Sequence, residues 1–376
     1  MQYKKLSRTN YEVSRLGFGC MRLPMMEKNG KSEVDEDSAI KMLRKGFELG
    51  INYYDTAYFY HNTESERILG IALKDIRDKC VVVTKCPGGH CNAPGDYRKV
   101  LEGQLKRMNM DYIDFYHFHG IGIEGFKEVD ARAKWLDDAK KAKAEGLIKH
   151  ISFSFHSNPD DMKKLIDYVP EFDSVLVQYN ALDQSNADGI AYAKQKGLSV
   201  IAMGPLGGGR ISGLPKEVSK KLGIKVEASA ELGLRFVAAN PNIDVILSGM
   251  SSEVQLLENV EFVSRLEPLN KEEISGLDKM MNENKRLSEL YCTGCNYCMP
   301  CPQEVNITHI FSMSNYDRVY GIHEYAKDGY ASIGTNPWVP GKRADACNDC
   351  GVCETKCPQK LEIRKQLKES HERLRA

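Results

Sequence analysis

Eight short apolar or β-branched runs recur along the first two thirds of the chain: VSRLGFG, INYYDTA, VVVTK, YIDFYHFH, ISFSF, SVLVQYN, LSVIAMG and DVILSGM. Stretches with helical apolar spacing separate most of them, most clearly DSAIKMLRKGFELG, SERILGIALKDI, AKWLDDAKKAKAEG and ASAELGLRFVAAN. Strands joined through helices run parallel and need cover on both faces. Eight such units are the number that closes an α/β (β/α)8, or TIM, barrel. A barrel of this kind carries its chemistry at the carboxyl ends of its strands. The segment MQYKKLSRTNYEV ahead of the first run is expected to form a small hairpin.

At 376 residues the chain exceeds what one barrel needs. The expected division is a barrel over 1–270, a charged helical connector over 271–289 (LNKEEISGLDKMMNENKRLSEL spans it), and a cysteine-rich domain over 290–376. Lys plus Arg and Asp plus Glu both number 52, a balance that argues against a nucleic-acid partner. The opening residues lack the apolar core of a signal peptide and no apolar run is long enough to cross a bilayer, so a cytoplasmic, membrane-free protein is expected. Thiols stay reduced in that compartment. Clustered cysteines there read as metal ligands rather than disulfides.

Four polar residues fall where strands should end. Asp55 closes GINYYDTA, Tyr60 follows five residues later, Lys85 closes VVVTK and His119 closes YIDFYHFH. Taken singly, Asp55 reads equally well as a helix cap and His119 as a hydrogen-bonded core histidine. Together they suit carbonyl reduction, which needs a hydride donor on one face and a proton donor at the oxygen. A tyrosine supplies the proton once a lysine stabilises its phenolate, a carboxylate holds the lysine, and a histidine orients the oxygen.

At these residues the sequence resembles the aldo-keto reductase family, from about Leu6 to Pro268. GINYYDTAYFYHNTESERILG matches the family's Asp-Thr-Ala, Tyr and Ser-Glu segment. VVVTK implies Lys85, and DYIDFYHFH implies His119 rather than His117. The resemblance implies a barrel enzyme that uses NAD or NADP without a Rossmann domain, transfers hydride to a small-molecule aldehyde or ketone, and uses no catalytic metal. It assigns the cofactor contacts to Met21, to Ser154 and His156 in ISFSFHSN, and to Gln178 in VQYN with Asn180 nearby. The same resemblance makes Gly204, Leu206, Gly208 and Arg210 in IAMGPLGGGR the phosphate loop, although the triple glycine by itself reads equally well as a flexible turn. Gly249, Ser251, Gln255, Glu258 and Asn259 in SGMSSEVQLLENV form the adenosine end. Gly249 and Gln255 stand where strongly NADP-specific members have Lys and Arg.

The tail carries a different signal. Cys347-x2-Cys350-x2-Cys353-x3-Cys357-Pro358 is the bacterial ferredoxin run for a 4Fe–4S cluster. Zinc sites favour two cysteine pairs across a longer loop, so the triple tandem points to iron–sulfur. An earlier run repeats it as Cys292, Cys295 and Cys298, with Cys301 after two residues instead of three. The fourth cysteine of each run serves the other cluster in two-cluster ferredoxins. That rule gives Cys292, Cys295, Cys298 and Cys357 to one cluster, and Cys347, Cys350, Cys353 and Cys301 to the other. The phrases GFGCMRLP, SFSFH, YCMPCP and CPQKLEI resemble an aldo-keto reductase branch with a fused, small α-helical ferredoxin-like domain.

A hydride carries two electrons and each cluster accepts one, yet no flavin fingerprint is present to mediate. Besides a carbonyl reductase with accessory clusters, two alternatives stand: an electron-transfer protein with a redox partner and the barrel as nicotinamide-binding or docking module, or a redox sensor. Cys86, His90 and Cys91 in KCPGGHCNAPGDY read as a glycine-rich loop with incidental thiols, or as a further metal or redox site. Cys20 and Cys80 read as small buried residues, and the last helix, RKQLKESHERLRA, as a solvated tail or a helix that docks a partner.

Overall fold

The computed structural model describes the chain apart from residues 29–30, 182, 207–228, 266, 278, 280–297, 319–322, 358–360 and 376. The chain forms two compact units and passes from one to the other between Leu269 and Asn270.

The first unit opens with an antiparallel hairpin, β1 (Tyr3–Lys5) and β2 (Glu12–Ser14). The barrel strands are β3 (Leu16–Gly19), β6 (Tyr53–Asp55), β7 (Val81–Pro87), β8 (Ile113–His119), β9 (Ile148–Phe155), β10 (Ser174–Gln178), β11 (Ser199–Met203) and β12 (Val245–Gly249). All are parallel, and each pairs with its sequence neighbour among these eight until β12 returns to β3 and closes the ring. The eight runs read from the sequence are these eight strands.

Period-two alternation sends one residue set of each strand into the lumen. Tyr53, Val81, Val83, Phe115, Leu176, Ile201, Val245 and Leu247 form that interior, and Leu6 and Val13 of the opening hairpin complete it at the amino ends. The lumen is tight enough that a Cβ on Gly17 would lie 2.9 Å from Val245 and 3.0 Å from Tyr53. On the outside, a Cβ on Gly70 would approach the Met108 carbonyl oxygen to 2.1 Å, so the second and third helices pack backbone to backbone.

Local chemistry starts the helices. Asp35 caps Glu36–Glu48 by accepting from the Ser38 amide at 3.1 Å, and Asn158 caps Pro159–Tyr168 with proline in the first turn. A second hairpin, β4 (Met25–Lys28) with β5 (Lys31–Val34), lies between the first barrel strand and its helix and was not anticipated.

The described helices of the second unit are 271–277, Ile307–Arg318, His323–Ala331, Val352–Thr355 and Ile363–Leu374, joined by turns and irregular segments. The rest of the expected 271–289 connector lies outside the described residues, apart from Lys279, which is also helical. Val305, Ile310, Phe311, Tyr330, Ile363 and Leu367 anchor its core. The last helix is part of this core rather than a solvated tail. Ile363, Leu367, Ser370 and Leu374 are buried along one stripe, while Arg373 donates to Asp317 at 2.6 Å and Tyr330 pairs with His371 at 2.6 Å. Among the described residues no helix is long and apolar enough to cross a membrane.

Candidate active site

Asp55 and His119 end β6 and β8, and Lys85 lies two residues before the end of β7, so adjacent strands deliver them to one rim. Lys85 is fully buried. Its Nζ donates to Asp55 Oδ1 at 2.5 Å and to the Thr56 carbonyl at 2.6 Å, and lies 4.9 Å from the centre of the Tyr60 ring. The Tyr60 and His119 rings meet edge to face with centroids 6.5 Å apart.

Burial works against the charge on Lys85, but Asp55 and Tyr60 outweigh it and hold the lysine pKa above its ordinary value. Tyr60 is pushed up by burial and pulled down by Lys85, and burial wins. The expected lowering by the lysine is therefore one contribution to a net rise. The phenol is protonated across the neutral range. His119 falls to about 3 because it is buried and faces Lys85 and His156, so its ring is neutral and keeps an N–H to donate.

Supporting contacts fix this set from behind. Gln104 donates to the Lys85 carbonyl at 3.1 Å and to Glu66 at 2.5 Å, and buried Glu66 also accepts from Thr84 at 2.7 Å. After Tyr60 the backbone runs through three left-handed residues, His61, Asn62 and Thr63, with φ of 51°, 55° and 75°. Such φ values in non-glycine residues cost of order 1 kcal/mol or more each and concentrate at functional sites. His61 Nε2 accepts from the Leu23 amide at 3.2 Å and ties the Tyr60 turn to the loop after β3. The sequence gives no motif that singles out His61. Asp55 Oδ2, the Tyr53 hydroxyl and both ring nitrogens of buried His117 lack a hydrogen-bond partner among the described residues.

The expected cofactor residues distribute around the same rim. Ser154 is buried, and its hydroxyl accepts from the Gly120 amide at 2.7 Å; His156 is exposed just beyond β9. Gln178 ends β10 and donates to Asp183 at 2.8 Å, while Asn180 donates to the Gly204 carbonyl at 2.9 Å, where Gly204 has φ 63°. Leu206 follows in a turn, and Gly208 and Arg210 lie outside the described residues. Met21 is exposed on the turn after β3. Gly249 ends β12, Ser251 donates to Gln255 at 3.2 Å, Glu258 is exposed, and buried Asn259 donates to Ser248 at 3.1 Å.

Arg22 is a basic residue that the sequence reading passed over. A Cβ on Gly249 would meet its side chain at 3.2 Å, so the arginine stem lies across the strand end, and it has no polar partner among the described residues. This set of carboxamides, hydroxyl and guanidinium suits an anionic, amide-bearing nucleotide.

In the second unit Cys298 and Cys353 are buried within the core, Cys301, Cys347 and Cys357 pack against it, and Cys350 is exposed. Cys292 and Cys295 lie outside the described residues. Among the described residues no three metal-ligating side chains converge into a ready cage. The donor set is nonetheless sulfur alone, the chemistry an iron–sulfur cluster takes.

Comparison with known proteins accords with both halves. The profile of the Aldo/keto reductase family matches residues 15–282, and that of the 4Fe-4S dicluster domain matches residues 291–362. The chain is 30% identical over 318 residues to the L-galactose dehydrogenase of Arabidopsis thaliana, covering 77% of this chain and 97% of that one. It is 27% identical to an uncharacterized oxidoreductase of Bacillus subtilis, with 74% and 95% covered. The holo form of an aldo-keto reductase from Bacillus halodurans superposes with a TM-score of 0.62 at 26% identity, covering 74% of this chain and 96% of that one. The chain belongs to the aldo/keto reductase family and carries a 4Fe-4S domain after its barrel.

Proposed function

We propose that this family member reduces an aldehyde or ketone, or oxidises the corresponding alcohol, with Tyr60 as the group that exchanges the proton. The observation that carries the reading is the Lys85 ammonium, which contacts Asp55 at 2.5 Å and sits 4.9 Å from the Tyr60 ring centre, beside a neutral His119. A bound NAD(P)H supplies the hydride; Met21, Ser154, His156, Gln178, Gly204, Arg22 and the Gly249–Asn259 segment are the residues that would hold it.

The protein's part is positioning and proton transfer. Asp55 keeps Lys85 charged and fixed. Lys85 then stabilises negative charge on the Tyr60 oxygen as its proton leaves for the substrate oxygen. His119 orients that oxygen by donating from its neutral ring. The reverse step is available by the same groups, and the dehydrogenase name of the Arabidopsis relative supports that direction.

The cysteine runs would hold two 4Fe–4S clusters, which carry electrons one at a time. The pairing of ligands is Cys292, Cys295, Cys298 and Cys357, and Cys347, Cys350, Cys353 and Cys301. The buried thiols of the second unit support a role in its folding first, with electron exchange with a partner as the second reading.

A screen of carbonyl compounds with anaerobically prepared protein, following nicotinamide oxidation, tests the proposal. Turnover lowered about a hundredfold or more by Tyr60→Phe, with nicotinamide affinity kept, is the expected result. Full activity in that variant defeats the assignment.

A further inference from the structure

The residues directly after Lys85 form a second sulfur site, separate from the cluster motifs. Cys86 continues β7, the chain turns through Gly88–His90, and Cys91 returns so that the two Sγ atoms lie 3.5 Å apart. Both side chains are fully buried. The turn is held by the Cys91 amide donating to the Gly88 carbonyl at 3.1 Å. Arg132 donates to the Cys91 carbonyl at 3.0 Å and the Gly88 carbonyl at 3.2 Å. A disulfide bond is about 2 Å long, so forming one draws the two sulfurs together across this turn.

We propose that Cys86 and Cys91 are a peroxide-sensitive dithiol whose oxidation to a disulfide suppresses the neighbouring carbonyl site. The Cys86 thiol donates toward Cys91 and favours its thiolate, whereas burial opposes ionisation of Cys86 itself. Cys91 is thus the attacking sulfur. It takes one oxygen of hydrogen peroxide, the O–O bond breaks, and the leaving hydroxide picks up a proton to become water. Cys86 then attacks the sulfenic sulfur of Cys91, the S–S bond forms, and the second oxygen leaves as water with the Cys86 proton. Two thiols and one peroxide give one disulfide and two waters. Both thiols are closed to solvent, so peroxide reaches them through local opening of the turn.

The link to the site, which rests on the function proposed above, runs from both ends of the turn. Lys85 precedes Cys86 directly. His90 precedes Cys91 and packs against Tyr58 at 4.8 Å and Phe59 at 5.5 Å between ring centroids, and Phe59 in turn faces His119 at 6.4 Å. Drawing the sulfurs together therefore pulls on the lysine at one end and on the aromatic rim at the other.

Tryptic cleavage after Lys85 and Arg98 isolates CPGGHCNAPGDYR, which holds both thiols and no other cysteine. The full chain, prepared anaerobically and given one equivalent of peroxide, is denatured in alkylating reagent and digested. The expected product is an unalkylated peptide lighter by two hydrogens, restored by dithiothreitol, with turnover lowered about tenfold or more before reduction. Cys91→Ser should keep its turnover through the same treatment. Alkylation of both thiols, or sulfinic acid without a cross-link, overturns the disulfide. Equal loss of turnover in wild type and Cys91→Ser shows that inhibition does not run through this pair and overturns the control of the site. If the untreated chain reduces no carbonyl, the function proposed above falls, while the peptide mass still decides the disulfide.

Discussion

The barrel and the cysteine-rich unit both bury polar chemistry, but they relate it to their cores in opposite ways. The barrel interior is a plug of Val81, Val83, Phe115, Leu176, Ile201 and similar residues, and Asp55, Lys85 and His119 sit above it at the strand ends. In the second unit Cys298 and Cys353 are members of the core, and Cys301, Cys347 and Cys357 pack directly against it. There two of the proposed ligands, Cys298 and Cys353, are themselves core residues. A site resting on an independent core can lose its chemistry and keep its fold, whereas a site that is part of its core cannot.

Removing the iron should produce the largest contrast. Structural metals contribute their binding free energy to folding, so the second unit should unfold on chelation while the barrel stays native. Hydrogen exchange followed by mass spectrometry checks this: peptides from 298–318 and 352–374 should lose protection and those from 81–119 keep it. Unchanged protection in the tail would show that its helices stand without metal and erase the contrast. Anaerobic analysis should find about eight irons and eight sulfides per chain. Four of each would mean one occupied motif.

Tyr60→Phe probes the opposite case. Turnover should drop about a hundredfold or more, with nicotinamide affinity, melting temperature and iron content essentially unchanged. A large fall in stability would mean that the barrel site is as tied to its core as the tail's thiols are. Lys85→Met should also impair turnover. The fully buried lysine is ion-paired with Asp55, so this variant leaves a carboxylate unpaired and costs stability as well.

The same contrast explains what the sequence made legible. The eight strands were readable because burial on both faces makes each a near-continuous apolar run, and Asp55, Lys85 and His119 were readable because they stand at or near the carboxyl ends of those runs. Arg22 and His61 were not, since their roles arise from loops meeting: Arg22 across Gly249, and His61 under the Leu23 amide. The β4–β5 hairpin escaped notice because Met25–Lys28 is exposed along its whole length and offers no alternation, although Asn29-Gly30 is a strong hairpin dipeptide. The last helix looked charged on all sides when read from Arg364. Including Ile363 brings out the stripe Ile363, Leu367, Ser370, Leu374, too narrow to stand out among so many charges.

Acid should separate the two units more gently. His119 titrates at about 3 in the folded barrel and near 6.5 when unfolded, and His117 is also held well below its ordinary value by burial. Between those two pH values the unfolded chain binds more protons, so barrel stability rises with pH across the window and is lost as pH falls. In the tail, burial raises Asp317 but hydrogen bonds from Arg373 and His323 outweigh it and hold it below the ordinary 3.8. Its contribution is present above that value and lost only at lower pH. Denaturant melts from pH 7 to pH 4, read by near-ultraviolet circular dichroism, should show a slope for the barrel that His119→Asn reduces. An unchanged slope in that variant would place the acid sensitivity elsewhere.

The smallest expected effect lies within the barrel and concerns which nicotinamide it holds. Gly249 and Gln255 offer no charge to an adenosine 2′-phosphate, but the bare Gly249 leaves room for the Arg22 stem to cross the strand end. Arg22 is exposed, so water screens its pull on a phosphate to the order of 1 kcal/mol, and a charge-assisted hydrogen bond adds modestly to that. Arg22→Ala should therefore weaken NADPH binding about tenfold, near 1.4 kcal/mol, and NADH binding less. Native discrimination between the two should stay below about a thousandfold, on the order of 4 kcal/mol. Fluorescence titration of both nicotinamides against wild type and variant decides it. Equal affinity in wild type and variant removes Arg22 from the phosphate site. A preference above a thousandfold that survives the variant would instead show that another residue recognises the phosphate, Arg210 being the first to test.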